Sequence, residues 1–439
     1  MKTKHVVTLF LTLFGITMYA QQMLSTETAV ELALENNYGI QIANTTVEVA
    51  ENNKDILNSG YLPTITGNAG GSIDKQNTEG ELADGDTRIA NGVETRRYNA
   101  SVTLNYTLFD GLGRQYNYRR LKEQYQLSEL EARETIETTM IQLFTIYYSV
   151  AQLSENTGAL EETITISKDR LTRAGYQFDY GQNTKLEVLN AEVDINNDSI
   201  NLINAKQQLK NTKRDLNVVL GNQLSQDFEV DTTIDFLLQL NKENLLEKTK
   251  ANNVTLLQAN KNIEISQLDI KTSKAQFLPT VGLFGSYGWN ESTNNSPLAF
   301  VLQNTTTGAS AGLNLSWNLF DGGTAITNTK NAKLNLEIQE LQKEQLIADI
   351  ERNFNNAWDN YQNRLTIYHV QNDNIKTAQN NFERTQEKFK LGQVTSIEFR
   401  QAQLNLLNAE LSRNQAKYEA KLAELTVLQL SGELLNVEL

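Results

Sequence analysis

The residues with the most to offer chemically come in two matched sets. Thr184-x-x-Glu187 and Thr395-x-x-Glu398 each follow a glycine turn, Gly181-Gln182 and Gly392-Gln393. A threonine followed three residues later by glutamate is a capping-box pattern, in which both side chains satisfy free amides at a helix start. Glutamate there also meets the positive end of the helix dipole. This is conformational chemistry rather than catalysis. The chain has no cysteine, which excludes a thiolate nucleophile, a disulfide and a thiol-linked lipid anchor. Its histidines are His5, inside an N-terminal leader, and His369. One histidine without cysteine or a second histidine forms no metal constellation. There is no phosphate-cradling glycine loop either. An enzyme is therefore the least favoured class, and no cofactor is expected.

These sets belong to a duplication. Phe178, Gly181, Gln182, Thr184, Glu187 and Ala191 return as Phe389, Gly392, Gln393, Thr395, Glu398 and Ala402, an offset of 211 (392 minus 181). Leu108-Phe109-Asp110-Gly111 returns as Leu319-Phe320-Asp321-Gly322 at the same offset. Tyr61-Leu62-Pro63-Thr64 returns as Phe277-Leu278-Pro279-Thr280, offset 216 (279 minus 63). A unit repeated at this period signals pseudo-symmetry. The repeats are expected at 21–221 and 242–432, with a linker at 222–241 and a tail at 433–439. The linker and tail are expected to form a belt around the middle of the molecule.

Residues 1–20 read as a secretory signal: Lys2 and Lys4, an apolar run from Val6 to Phe14, then Met18-Tyr19-Ala20 before the cut. Removing two lysines and no acid takes the net charge from -14 to -16 (-14 minus 2), unsuited to nucleic-acid phosphates. No later apolar run approaches the ~18 residues of a spanning helix. Membrane contact is left to strands or to a surface.

Long proline-free runs, 113–180 and 324–391, predict helices of about 100 Å each at 1.5 Å per residue. Ile347, Ile350, Phe354, Ala357, Tyr361, Leu365 and Tyr368 recur mainly at steps of three and four, a seam for side-by-side helices. Asn353, Asn355, Asn356, Asn360, Gln362 and Asn363 give a second, wet face. Leu186, Leu189, Val193, Ile200 and Ile203 form a similar seam after the first glycine turn. Between these runs the period changes to two. Tyr98, Ala100, Val102, Leu104, Tyr106 and Leu108 alternate with Arg97, Asn99, Ser101, Thr103, Asn105 and Thr107. Strands are expected at about 62–75, 95–109, 279–291 and 307–320, one hairpin per repeat, with polar loops at 75–94 and 292–306. Aromatic residues gather at one end (Tyr61, Tyr106, Phe109, Phe277, Trp317, Phe320). Strands of ~9–11 residues suit a tilted membrane crossing. Alternation alone fits a soluble sheet capping a bundle equally well; the leader and the helix lengths favour the membrane.

In lipid, an open four-stranded sheet leaves two unpaired edges. Several chains must then share one barrel, most simply by cyclic symmetry. The whole pattern resembles the TolC-like outer-membrane efflux protein family: two copies of helix, strand, strand, long helix and helix, with Pro63 and Pro279 entering the strands and Asp110-Gly111 and Asp321-Gly322 leaving them. The resemblance implies a mostly α fold with a small β part. It implies a homotrimeric α-helical barrel continuous with a shared 12-stranded outer-membrane β-barrel, four strands per chain, carrying cargo passively from an inner-membrane transporter through a periplasmic adaptor. The turns at Gly181, Gln182, Thr184, Gly392, Gln393 and Thr395 would face the adaptor. In the family an acidic pair one helical turn apart rings the closed entrance. Glu398 holds the first position and Gln401 the second; Glu187 and Asn190 are their equivalents in the first copy. Three carboxylates there repel by only ~1 kcal/mol per pair at 4 Å in water, so the ring and cap roles of Glu398 are compatible. The rival readings, a structural coiled-coil envelope protein and a periplasmic adaptor, have no pore.

Overall fold

The computed structural model describes residues 23–81, 83–225, 228–237, 240–297 and 299–436. The expected signal at 1–20 and the end of the tail at 437–439 lie outside the described residues. The chain runs β1 (Met23–Leu24), α1 (Thr26–Asn36), α2 (Tyr38–Asn53), β2 (Thr64–Glu81), β3 (Thr87–Phe109), α3 (Gly113–Asp179), α4 (Lys185–Val219), β4 (Glu229–Val230), α5 (Lys242–Asn252), α6 (Val254–Ala275), β5 (Thr280–Asn294), β6 (Gln303–Ser316), α7 (Thr324–Lys390) and α8 (Ser396–Leu430). It is a mostly α protein with a small β part, and the element order repeats as the sequence duplication requires. Compactness divides it differently. One unit takes residues up to Ile42, Thr135–Asn253 and Ile350–Leu439; the other takes Ala43–Glu134 and Val254–Asp349. Each unit draws on both repeats.

The second unit holds an antiparallel sheet of order β2-β3-β5-β6. Register keeps the two faces coherent across all four strands. Ala100 faces Trp289, Val102 faces Tyr287, and Tyr106 faces Leu283, which faces Leu313. On the other side Asn68 faces Ser101, which faces Gly288; Thr103 faces Ser286, which faces Ser310. Phe284 breaks the polar face. Its ring lies over Gly312, where a Cβ would come within 2.9 Å of it, so an aromatic side chain covers an edge-strand glycine.

The strands depart from the expected lengths. β2 and β3 continue pairing from Lys75↔Glu94 to Glu81↔Thr87, past an irregularity at Gln76/Thr78, through what was expected to be a loop. Backbone pairing in a hairpin needs no apolar alternation, so the pattern understated it. The second hairpin is likewise longer at its turn, and β6 stops at Ser316 rather than about 320. Trp317 leaves the ladder, and its indole N–H donates to the Phe277 carbonyl at 3.1 Å.

In the first unit the main core joins Leu24, Ile40, Phe144, Tyr147, Tyr148, Leu216, Phe228, Tyr418 and Leu425. A second cluster holds Phe354, Tyr361 and Val427, with Ala357 and Leu365 packed on it, which is the seam read from the spacing. Asn353, Asn356, Asn360, Gln362 and Asn363 are exposed on the other face. The inter-repeat linker is strapped to α8. Lys417 Nζ donates to Thr232 O at 2.7 Å, Lys421 Nζ donates to Asp235 O at 2.8 Å, and Leu237 N–H donates to Glu424 Oε1 at 2.7 Å. All three side chains are buried, a position such groups occupy only when partnered. The Tyr147 hydroxyl ties the same region together, 2.7 Å from Leu24 O and 3.2 Å from Asp231 O. β1 and β4 pair in parallel beside it.

Candidate functional site

The turns at the far ends of the long helices are built alike. Gly181 has φ +72 and Gly392 φ +75, the left-handed region that favours glycine. The amide of Gln182 donates to Gln177 O at 2.7 Å and that of Gln393 to Lys388 O at 2.9 Å, a six-to-one closure of the helix end. The capping boxes then diverge. In the second copy Glu398 N–H donates to Thr395 Oγ1 at 3.2 Å, and Thr395 N–H donates to Glu398 Oε2 at 2.8 Å. The Thr395 amide, then its hydroxyl, hold the Glu398 carboxyl below the usual carboxylate range. The expected box in the first copy does not form: Thr184 makes no side-chain cap bond. Its amide is taken by Asn183 Oδ1 at 2.9 Å. The second copy has Val394 at that position, which offers no acceptor, so Glu398 fills the place. Gln401 Nε2 donates to Asn405 Oδ1 at 2.9 Å, and Asn190 is exposed.

The strand–helix junctions repeat the same local physics. Pro63 and Pro279 stand immediately before β2 and β5, where a missing amide costs no ladder bond. Asp110 Oδ2 accepts from Arg114 N at 2.9 Å, and Asp321 Oδ2 from Ala325 N at 2.8 Å; both are helix caps. Gly111, φ +69, has no room for a side chain: a Cβ would lie 2.7 Å from Ala275 O. Gly322, φ +72, has open space.

Near the tips lies a charged cluster that no motif in the sequence marks. Arg400 of α8 makes a two-pronged bond to Asp198 of α4, Nη1 to Oδ2 at 2.8 Å and Nη2 to Oδ1 at 2.7 Å. Ser167 of α3 donates to Asp198 Oδ2 at 2.6 Å. Asp194 bonds Arg170 and lies 3.7 Å from Arg400 Nε. Gln403 Nε2 donates to Thr163 O at 2.9 Å. Three helices are thus held by side chains that desolvation would penalise if parted. The signal was in the copy comparison: Arg400 corresponds to Leu189 (400 minus 211) and Asp198 to Ala409 (198 plus 211). Beside the cluster, Ile166, Arg173, Tyr176, Phe389 and Phe399 line a groove of about 370 Å³, with the Phe389 and Phe399 rings stacked 4.6 Å apart. Among the described residues no group of three or more metal-ligating side chains assembles, and no helix is long and apolar enough to cross a membrane.

A family model described as outer membrane efflux protein matches residues 29–222 and 245–433. The outer membrane efflux protein BepC of Brucella suis is 22% identical over 434 residues, 98% of this chain and 91% of that protein. Outer membrane protein TolC of Escherichia coli is 21% identical, spanning 79% of this chain and 72% of that protein. The crystal structure of the Campylobacter jejuni CmeC outer membrane channel superposes with a TM-score of 0.78 at 18% identity, covering 93% of this chain and 86% of that one.

Proposed function

The chain belongs to the outer membrane efflux protein family, and on that premise we propose that it is the exit duct of an efflux or secretion assembly. Three copies close one twelve-stranded barrel in the outer membrane, and their long helices continue as a tube through the periplasm. Cargo enters from an inner-membrane transporter through a periplasmic adaptor seated on the Gly181 and Gly392 turns. The duct conducts passively.

One observation carries this reading: the sheet has one apolar and one polar face in register, and it ends at two open edges, β2 and β6. Lipid tolerates the apolar face but not the edges. Sister chains supply the missing pairs and leave the polar face to line water. A further support is α4, whose Leu186, Leu189, Val193, Ile200 and Ile203 are exposed on one chain at seam spacing, as a helix awaiting a neighbour would be. Glu398, ionised and held at a helix start, stands where a ring of charge would meet entering cations.

Reconstitution into planar bilayers tests the proposal. The wild type gives discrete channel currents that polyvalent cations block, and Glu398→Ala weakens the block. A protein that incorporates but passes no current is a solid coiled coil and overturns the reading. Unchanged block in a conducting Glu398→Ala variant leaves Glu398 as a cap alone.

A further inference from the structure

The connection between β5 and β6 is held at both ends yet offers apolar side chains to solvent. Asn294 N–H donates to Leu302 O at 2.7 Å, and Asn295 N–H donates to Glu94 O at 3.2 Å while its Oδ1 accepts from Glu94 N at 2.7 Å. Ser296 N–H donates to Asn294 Oδ1 at 2.7 Å, and Ala299 N–H to Ser296 O at 3.1 Å. On this fixed frame Phe300 is fully exposed, Val301 is 63% exposed and Leu302 57%. Consecutive apolar side chains left exposed to solvent mark a contact waiting for a partner.

Burial at this end of the sheet differs between its two faces. Register puts Thr95 opposite Asp74, Val93 opposite Gln76 and Ala90 opposite Thr78, all on the polar face of the sheet. These three are buried, as is Ser296 in the connection. Ile73 and Ile89, which register puts on the apolar face at the same end, are exposed. Of these positions only those on the polar face are covered, and the connection starts beside them, with Asn295 continuing the ladder at Glu94 and Ser296 buried.

We propose that Phe300, Val301 and Leu302 are carried inward over the polar face, so that in the assembled duct they meet the same residues of the sister copies and form an apolar contact across the outer mouth. The inference rests on the three-copy reading above. Its occupant is a second copy of this chain rather than lipid, because the apolar face that lipid would touch is the one left uncovered. An apolar narrowing repels water and ions more than it hinders apolar cargo, so such a contact would act as a partial lid.

The absence of native cysteine makes the test clean. Full-length protein carrying Phe300→Cys, or Ile73→Cys as the opposite-face control, is treated in outer membranes with a short bismaleimide and separated by denaturing electrophoresis. Native mass spectrometry of the same samples counts chains. Linked pairs of copies at Phe300→Cys and none at Ile73→Cys are expected. Three-chain particles in which the Phe300→Cys thiol accepts a monomaleimide but never links copies overturn the inference and leave the duct intact. A thiol that reacts only after detergent is added puts the segment in lipid and also overturns it. Single-chain particles bring down the duct reading, and this inference with it.

Discussion

Replacing Asp198 with asparagine removes one charge and almost no volume, which isolates the electrostatics of the tip cluster. Asp198 is 4% exposed and Arg400 12%, so the pair lies outside the regime where solvent screening makes ion pairs negligible. Parting a buried pair by neutralising one member costs ~3–5 kcal/mol, because the other charge stays buried. Asp194, 28% exposed and 3.7 Å from Arg400 Nε, retains part of the compensation, which places the expected cost at the lower end, about 3 kcal/mol. At ~1.4 kcal/mol per decade, local opening becomes roughly 100-fold more frequent. Hydrogen exchange read by mass spectrometry should show that loss of protection in peptides spanning 163–171, 194–202 and 399–407. The core around Tyr147 and Tyr418 should keep its protection. A second arm removes both charges of the pair: Asp198→Leu with Arg400→Met should cost less than either single change, since the buried charge that remains, Arg170, keeps its partner Asp194. A change of less than about threefold in Asp198→Asn, or additive costs in the double variant, would refute the reasoning.

Glycine at the turns and at the joints should behave differently. Gly392→Ala has open space around a new Cβ but φ +75, so it should cost only the ~1–2 kcal/mol of left-handed strain. Gly221→Ala would place its Cβ 2.5 Å from Asn36 O and should abolish folded, membrane-inserted protein, as heat-modifiable electrophoresis would record. Tyr147→Phe removes the hydroxyl shared by the Leu24 and Asp231 carbonyls, of which Leu24 O keeps the Asp231 amide at 3.0 Å, and should cost ~1 kcal/mol in chemical denaturation. Glu410 carries the pH dependence. Burial, then the Glu162 carboxylate, push its carboxyl above 4.5 against the pull of Arg413. One turn along α8 Asn414 Oδ1 is buried without a donor, and a turn further Lys417 pairs with Glu155 of α3 at 3.0 Å. The folded state therefore takes up the proton first, and this site contributes stability as pH falls through its raised value toward 4.5. Glu410→Gln should melt higher than wild type at pH 7.5, with the difference vanishing below that window; an unchanged difference at both ends would contradict it.

What the sequence made legible follows from how local each cause is. Gly181, Gly392, Asp110 and Asp321 act within one turn of chain, so residue type and spacing suffice to place them. The α7 seam was readable because Phe354 and Tyr361 pack on neighbours that the same periodicity supplies. The lengths of β2 and β3 were not, because pairing such as Glu79↔Ile89 depends on a partner strand and leaves no apolar alternation behind. The first capping box failed on a single neighbour, Asn183 in place of Val394. The Arg400 cluster needs three helices brought together from residues 163–170, 194–198 and 400–403, and only the mismatch between copies hinted at it. The strap of Lys417, Lys421 and Glu424 is hidden for the opposite reason: charged side chains in a helix read as a wet face until the linker carbonyls that receive them are in place.

The central claim is that one chain supplies only part of a closed wall. Native mass spectrometry of the detergent-extracted protein, released from its micelle, addresses it most directly: the account predicts a particle of three chains that survives release. A particle of one chain that stays folded in detergent-free buffer would contradict it, since a sheet with free β2 and β6 edges could then exist without sister strands or lipid.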